Sequence, residues 1–306
     1  MPCFGPLDGW MSRERTATGK RRMSFKIRES YHDLPITVPC GKCLGCKLER
    51  ARQWSLRCYH EAKMWGKNSF LTLTYSGENL PLVLGTSIPT LRPRDFVLFM
   101  KRLRRQRLER IRFLQCGEYG ALGRPHHHCL LFNCDFPDKE AFKIAPSGEV
   151  IFRSRELEEL WPYGFSSIGA VTVESAAYVA RYTTKKISND DVPCPKEEIE
   201  GVLTAEGAVK EYITMSRRPG IGRLWIERYW KDVYPGDRVH TIDGRSHRPP
   251  RYYDDYFKEV RPKGYARLKR RRVDSVVRDE QSSGRVIAKQ IIAEANVKTR
   301  LKRSIE

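Results

Sequence analysis

The sequence predicts an α+β fold, an antiparallel sheet with helices packed on it. Short runs rich in aromatic and β-branched residues alternate along the chain with stretches whose apolar residues recur at helical spacing. Two of the strand-like runs, 111–118 and 126–133, are joined by a connection short enough for a hairpin. The order strand, helix, strand, hairpin, strand, helix, strand, helix places the helices on one face of that sheet.

Residues 1–39 read as irregular, with Gly, Pro and a basic patch at Lys20, Arg21 and Arg22. Residues 47–65 read as a helix, with Trp54, Cys58, Ala62 and Trp65 on a shared face and Arg50, Arg52, Arg57 and Lys63 supplying charge. The run 70–75, FLTLTY, is a strand closed by Ser76 and Gly77. A proline-containing loop leads to a basic amphipathic helix over 94–110, with Phe96, Phe99, Met100, Leu103 and Leu108 inward. Asp95 suits its first turn and the arginines its later turns. Residues 155–160 form a short helix, 164–173 a strand and 174–187 a helix. Pro193, Pro195 and the acidic segment 196–200 mark a loop or boundary. Residues 210–260 are aromatic-rich without a period. From 261 to 303 the chain carries fourteen basic residues against four acids and no aromatic after Tyr265, so it reads as a basic, partly helical tail with little core.

The chain has 306 residues, enough for one large domain or two small ones. Lys and Arg number 57 against 37 acids, and the resulting net charge of +20 favours polyanions as partners. No apolar run reaches bilayer length, and the N-terminal MPCFGPLDGW lacks the basic-then-apolar order of a signal peptide. Nine cysteines without such a signal point to reduced thiols or metal ligands rather than disulfides. The composition predicts a basic protein of the cell interior acting on nucleic acid; a basic structural protein would share the charge.

Three of the seven histidines stand in a row, His126, His127 and His128, at the head of an apolar strand. Alternation along a strand sends His126 and His128 to one face and His127 to the other. Two imidazoles on one face can grip one metal ion. If 111–118 pairs with this strand, Glu118 lies beside them across the hairpin. That makes a three-ligand site with open positions for substrate oxygens. The plainer reading is a polar strand entry with an ordinary turn carboxylate. On the helix over 174–187, Tyr178 and Tyr182 are neighbours, with Lys185 and Lys186 on the same side, while Ala176, Val179, Ala180, Thr183 and Ile187 gather on the core face. A phenol near its usual pKa of about 10 is a poor nucleophile. A metal polarising a phosphate, or a lysine lowering the phenol's pKa, would let it attack. The plainer reading is two packed aromatics with solvated lysines.

Taken together, the 70–75 strand, Gly117-Glu118, Pro125-His126-His127-His128 and Tyr178-x-x-x-Tyr182-x-x-Lys185-Lys186 resemble HUH-type rolling-circle replication initiators. The similarity is greatest to those of microviruses, small circular single-stranded DNA phages, especially the gokushovirus group. Residues 38–46, Arg52-Gln53-Trp54 and 216–222 are similar to that group too, and the resemblance covers roughly 1–225. It implies a ferredoxin- or RRM-like HUH endonuclease sheet, with His126 and His128 as ligands of Mg2+ or Mn2+, Glu118 as the third ligand, and Tyr178 and Tyr182 as nucleophiles. It implies cleavage of one origin strand, a 5′-phosphotyrosine intermediate, and rejoining that releases circular single-stranded DNA without ATP. Single-stranded or supercoiled origin DNA, the host replication helicase and polymerase, and the bacterial cytoplasm are the implied partners and location. Arg124, Arg181, Arg217 and Arg218 are the expected DNA contacts. One departure stands out: the family's residue between the two histidines is usually bulky and apolar or Tyr, and here it is His127, which permits a register with His127 as ligand. A relaxase or transposase of the same chemistry, and a non-catalytic zinc-containing nucleic-acid binding module, are the alternatives.

Cys40, Cys43 and Cys46 have the spacing of the first three ligands of a bacterial ferredoxin run, but the fourth position is Arg50 and no proline follows. Zinc with a distant fourth ligand fits better. Cys3 is the first choice, with Cys58 and His60 as alternatives; three free thiols in a loop is the plainer reading. Cys116, Cys129 and Cys134 read as buried fillers. The expected divisions are a Cys-rich segment over 1–65, a nickase core over 66–190, an accessory region over 191–260 and the basic tail over 261–306.

Overall fold

The computed structural model describes residues 3–17, 19, 21–120, 122–145, 148–185, 207–241, 244–275 and 282–303, with the backbone alone for 181–185, 298, 300 and 301–303. Lys186, Ile187 and the boundary expected at 193–200 lie outside the described residues. The elements begin with β1 (Leu7–Arg15), β2 (Arg21–Ser24), β3 (Ser30–Val38), α1 (Leu44–Ala62), β4 (Asn68–Thr74) and α2 (Pro93–Arg105). Then come β5 (Arg112–Tyr119), β6 (Pro125–Phe132), β7 (Glu140–Ile144), β8 (Val150–Arg153), α3 (Arg155–Leu160), β9 (Ser166–Gly169) and α4 (Val173–Lys185). The remainder is β10 (Tyr212–Met215), α5 (Arg223–Gly236), β11 (Val239–His240), β12 (Ser246–His247), α6 (Arg251–Val260), α7 (Pro262–Asp274) and α8 (Ser283–Arg303).

Two compact units result, Met1–Glu49 with Ser275–Glu306, and Arg50–Asp274. The first holds an antiparallel sheet in the order β2-β1-β3, where the sequence reads as irregular. Within these strands only Gly9 and Ser30 are buried, so there is no apolar alternation to read. Main-chain ladders rather than a core define this sheet.

The second unit is built on a sheet in the order β10-β5-β6-β4-β9-β8-β7, each neighbouring pair antiparallel. Helices cover both of its faces, not the single face expected. Leu71, Leu73, Cys129, Leu131 and Ile168 pack on one side against Phe96, Phe99, Met100 and Leu103 of α2 and Leu157 and Leu160 of α3. Leu114, Cys116, Leu130 and Phe132 pack on the other against Cys58 of α1 and Ala176 and Val179 of α4. The unbroken apolar run Cys129-Leu130-Leu131-Phe132 is what a strand covered on both sides requires. Pro93 sits in the first turn of α2. That helix stops at Arg105 rather than 110, leaving Leu108 fully exposed, because its buried stripe ends at Leu103 and position 107 is Arg.

Residues 210–260, patternless at first reading, hold β10, α5, β11, β12 and α6. Ile226, Val233 and Tyr234 of α5, Tyr253, Tyr256 and Phe257 of α6, and Leu268 of α7 form a third core with Leu56. Their spacing is helical, but it is written mostly in aromatics. His60 is buried in this core, stacked on Trp225 at 3.7 Å between centroids and hydrogen-bonded through Nδ1 to the Tyr253 hydroxyl at 2.9 Å. Burial lowers its pKa from 6.5 to about 3. The unfolded chain therefore binds a proton that the folded chain refuses. The stability that neutral His60 allows is complete above about pH 6.5 and declines as pH falls towards 3, at about 1.4 kcal/mol per pH unit in the steep range. Urea midpoints measured between pH 7 and 4.5 are expected to fall less steeply in His60→Gln than in the wild type; equal slopes would remove His60 as the cause.

Candidate metal centre and active site

The site is set by strand register. β5 and β6 form a hairpin in which Glu118 pairs with His126, Gly117 with His127 and Cys116 with His128. Its turn closes through Gly120 N–H to the Arg124 carbonyl at 2.9 Å, with Gly123 in the left-handed region at φ 70°. On the other side of β6, β4 places Thr72 opposite His128 and Thr74 opposite His126. Alternation then puts Glu118, His126, His128 and Thr72 on the face that α4 covers. His127 is turned to the opposite face, where Nε2 lies 3.2 Å from the Tyr75 hydroxyl and Nδ1 lies 3.1 Å from Gln115 Nε2. The register that would make His127 a ligand is not the folded one.

His126 Nε2 lies 2.6 Å and His128 Nε2 2.9 Å from the same Glu118 oxygen, Oε1. Both rings are held from behind. His126 Nδ1 donates to the Arg124 carbonyl at 3.1 Å, and His128 Nδ1 lies 3.0 Å from Thr72 Oγ1. Such outer partners fix ring orientation and leave both Nε2 atoms to converge, as metal-binding histidines do. Burial raises the pKa of Glu118, but hydrogen bonds from His126, His128 and Tyr178 outweigh it and bring the group down to about 2. Burial likewise opposes charge on His126, yet the Glu118 carboxylate holds its pKa above the ordinary value; on His128 burial prevails and the pKa is lowered. Glu118 Oε2 is buried and has no hydrogen-bond partner among the described residues. An anion with one orphaned oxygen beside two oriented imidazoles fits a divalent cation.

α4 brings the tyrosine. It opens with a reciprocal cap: Thr172 N–H donates to Ser175 Oγ at 2.8 Å and Ser175 N–H to Thr172 Oγ1 at 3.1 Å. Ala176, Val179 and Ala180 are fully buried. Tyr178, beside that buried stripe, donates its hydroxyl to Glu118 Oε1 at 2.8 Å and lies 3.4 Å from His128 Nε2. Its ring meets His128 edge-on at 4.9 Å between centroids, and His128 stacks on Phe70 at 5.6 Å. The backbones of Arg181, Tyr182 and Lys185 continue α4, with Tyr182 one turn beyond Tyr178; their side chains lie outside the described residues.

Arg124 is at this end of the sheet, with Nη2 donating to the Tyr75 carbonyl at 2.9 Å. Arg217 and Arg218 are not. They line a cavity of about 440 Å³ with Arg104, Arg107, Arg110 and Arg112. It lies at the far end of β5, six residues and roughly 20 Å from Glu118. The sequence reading missed Thr72, although the alternation of 70–75 could have shown it facing the histidines. It missed the arginine cavity as well, which joins two stretches far apart in the chain, 104–113 and 216–218.

In the first unit, Cys3, Cys40, Cys43 and Cys46 gather their sulfurs within 4.8 Å of one another. Cys3 Sγ is 3.6 Å from Cys40 and 3.9 Å from Cys43. Tetrahedral coordination at about 2.3 Å per Zn–S bond sets sulfurs roughly 3.8 Å apart. Phe4 N–H donates to Cys43 Sγ, and Cys43 N–H to Cys40 Sγ, both at 3.3 Å. Burial opposes the Cys43 thiolate, but hydrogen bonds from the Phe4 and Cys46 N–H groups and from the Cys40 and Cys46 thiols bring its pKa to about 6. Such a donor set could hold a metal ion. Cys58 and His60 are instead buried in the apolar cores of the second unit.

An antiparallel sheet that gathers two histidines, a carboxylate and a tyrosine at one end defines a protein with a metal-compatible polar site on its covered face. Comparison with known proteins supplies the family. Residues 68–187 match the family model described as replication-associated protein ORF2/G2P. Over 273 residues the chain is 34% identical to replication-associated protein VP4 of Bdellovibrio phage phiMH2K, covering 86% of this chain and 79% of the relative. Over 250 residues it is 34% identical to replication-associated protein ORF2 of Spiroplasma virus 4, covering 74% and 73%. Replication-associated protein ORF4 of Chlamydia phage 1 is 29% identical over 244 residues, 76% of this chain and 57% of that protein. No solved structure matches. The chain belongs to the phage replication-associated proteins, of the microvirus-type rolling-circle initiator kind. Among the described residues, no helix is long and apolar enough to cross a membrane.

Proposed function

We propose that the protein starts rolling-circle replication by cutting one strand of phage origin DNA through a tyrosine and later rejoining it in the host cytoplasm. The observation that carries this reading is the Tyr178 hydroxyl held 2.8 Å from Glu118 beside the two converging imidazoles. Glu118 orients the phenolic oxygen. Attack on the scissile phosphorus forms a 5′-phosphotyrosine, the phenolic proton passes to water, and the P–O3′ bond breaks. The departing oxygen is protonated to a 3′ hydroxyl for the host polymerase to extend behind the host helicase. Mg2+ or Mn2+ held by Glu118, His126 and His128 would supply positive charge to the phosphate oxygens. Tyr182, one turn on, is the second nucleophile, and Lys185 and Lys186 are cations that lower the phenols' pKa. After a round of synthesis the second tyrosine cleaves, and the released 3′ hydroxyl attacks the first ester. That exchange conserves the bond energy and closes a circle. Arg124, Arg181, Arg217 and Arg218 hold the DNA backbone. The test is incubation of the full chain with Mn2+ and labelled single-stranded DNA of random sequence, followed by a denaturing gel. A covalent protein–DNA band is expected; its absence with both Mn2+ and Mg2+ defeats the nickase reading.

The four thiols of the first unit hold Zn2+ as a structural ion. Purified protein is expected to contain one zinc per chain by atomic absorption, and Cys40→Ser to lose it with increased proteolysis within the β2-β1-β3 sheet. Zinc retained at full stoichiometry in Cys40→Ser would reject this ligand set.

A further inference from the structure

Phe165 is an aromatic side chain left 69% exposed at the histidine end of the sheet. The segment that carries it is fixed. Thr74 N–H and Thr74 Oγ1 both donate to the Phe165 carbonyl, at 2.8 and 3.0 Å. Ser76 N–H donates to the Tyr163 carbonyl at 2.9 Å, and Trp161 Nε1 to the Thr74 carbonyl at 2.8 Å. Gly164 allows this approach: a Cβ there would lie 2.6 Å from the Thr74 carbonyl oxygen and closer still to Ser76 N.

Register places the side chain. Ser167 pairs with Thr72 and Ser166 with Leu73. Thr72 meets His128 on the catalytic face, so Ser167 shares that face and Phe165, two residues earlier, returns to it. Ser166, between them, is buried on the opposite side. His126, Thr74 and Phe165, the residue just before β9, therefore form a row, with His126 and Phe165 backbones about 10 Å apart. Isolated exposed apolar residues are ordinary. Phe142, also exposed on this sheet, has the Lys143 and Arg153 cations 5.9 and 5.3 Å from its ring. Phe165 differs in being rigidly mounted and aligned with a candidate metal ligand, while Arg124 holds the end of the same β4 strand.

We propose that Phe165 is a nucleobase subsite: one unpaired base of the single strand stacks on its ring while the adjoining backbone runs past Arg124 to the histidines. This rests on the nickase reading for its ligand. Every base has a π-face, so the subsite takes any base and requires only that it be unpaired.

The experiment is equilibrium binding of fluorescein-labelled oligodeoxyadenylate to the full chain, by anisotropy, without added divalent ion so that binding is read apart from cleavage. Phe165→Ala is expected to weaken binding about tenfold with the salt dependence unchanged, because a stacked base releases no counterion. Phe165→Trp is expected to restore wild-type affinity. Both variants should keep the wild-type melting temperature, since the side chain is exposed. Wild-type affinity in Phe165→Ala overturns the proposal, as does a loss that Trp fails to restore or one that arrives with a changed salt slope. Stacking that holds in a protein forming no covalent band would instead retire the nickase reading and keep the base-binding one.

Discussion

Replacing Tyr178 by Phe is expected to lower single-turnover cleavage of single-stranded DNA by about three orders of magnitude or more. The substitution deletes one oxygen and keeps the ring that packs edge-on against His128 and Phe70. Fold and divalent-ion binding should survive it, so equal manganese affinity and an equal melting temperature are part of the expected result. The lost oxygen is the one hydrogen-bonded to Glu118, and no other described phenol approaches the two histidines that converge on that carboxylate. Peptide mapping of the wild-type adduct should place the DNA on Tyr178. An undiminished rate in Tyr178→Phe, with the adduct found on Tyr182, would move the first attack one helical turn along α4.

The largest stability effect is expected at Glu61. Its Oε1 pairs with Arg112 Nε at 2.5 Å, and its Oε2 accepts the Gly222 N–H at 2.6 Å. Arg112 also donates to the Pro219 carbonyl at 2.9 Å, and the two side chains are 0% and 2% exposed. This pair joins α1, β5 and the segment before α5 through charge that water cannot reach. Removing one partner leaves the other buried and uncompensated, which typically costs about 3–5 kcal/mol. Urea unfolding of Glu61→Ala should show a loss of that size, and Glu61→Leu combined with Arg112→Met should recover much of it. A loss below about 1 kcal/mol in the single variant would mean that solvent reaches the pair.

The histidine strand, its hairpin partner and the tyrosine helix were legible because each is local. Alternation over three residues separates His127 from His126 and His128, and the short connection puts Glu118 across from them. Cys3 is the fourth ligand the sequence favours because it would tie down a loose N-terminus, and the structure brings it to the other three thiols. What escaped was non-local or lacked an apolar period. The β2-β1-β3 sheet buries almost nothing, so hydropathy is silent about it. Helices on both faces are consistent with the unbroken apolar run Cys129-Leu130-Leu131-Phe132, which a strand covered on one side only does not need. In α5 and α6 four of the seven buried positions are Tyr or Phe, which also populate surfaces and strands. Glu61 and Arg112 sit 51 residues apart, and nothing in either neighbourhood marks them as a pair.

The separations along the chain also order the assembly of the site. Glu118 and His126 are eight residues apart, whereas Tyr178 is 60 residues from Glu118. Closing a hairpin is a microsecond event, and contacts of low sequence separation form ahead of distant ones. The half of the centre proposed to hold the ion is thus a property of one short loop of chain, expected to form before the helix bearing the phenol docks. The phenolic oxygen proposed as nucleophile is then expected to arrive last, at a carboxylate already in place.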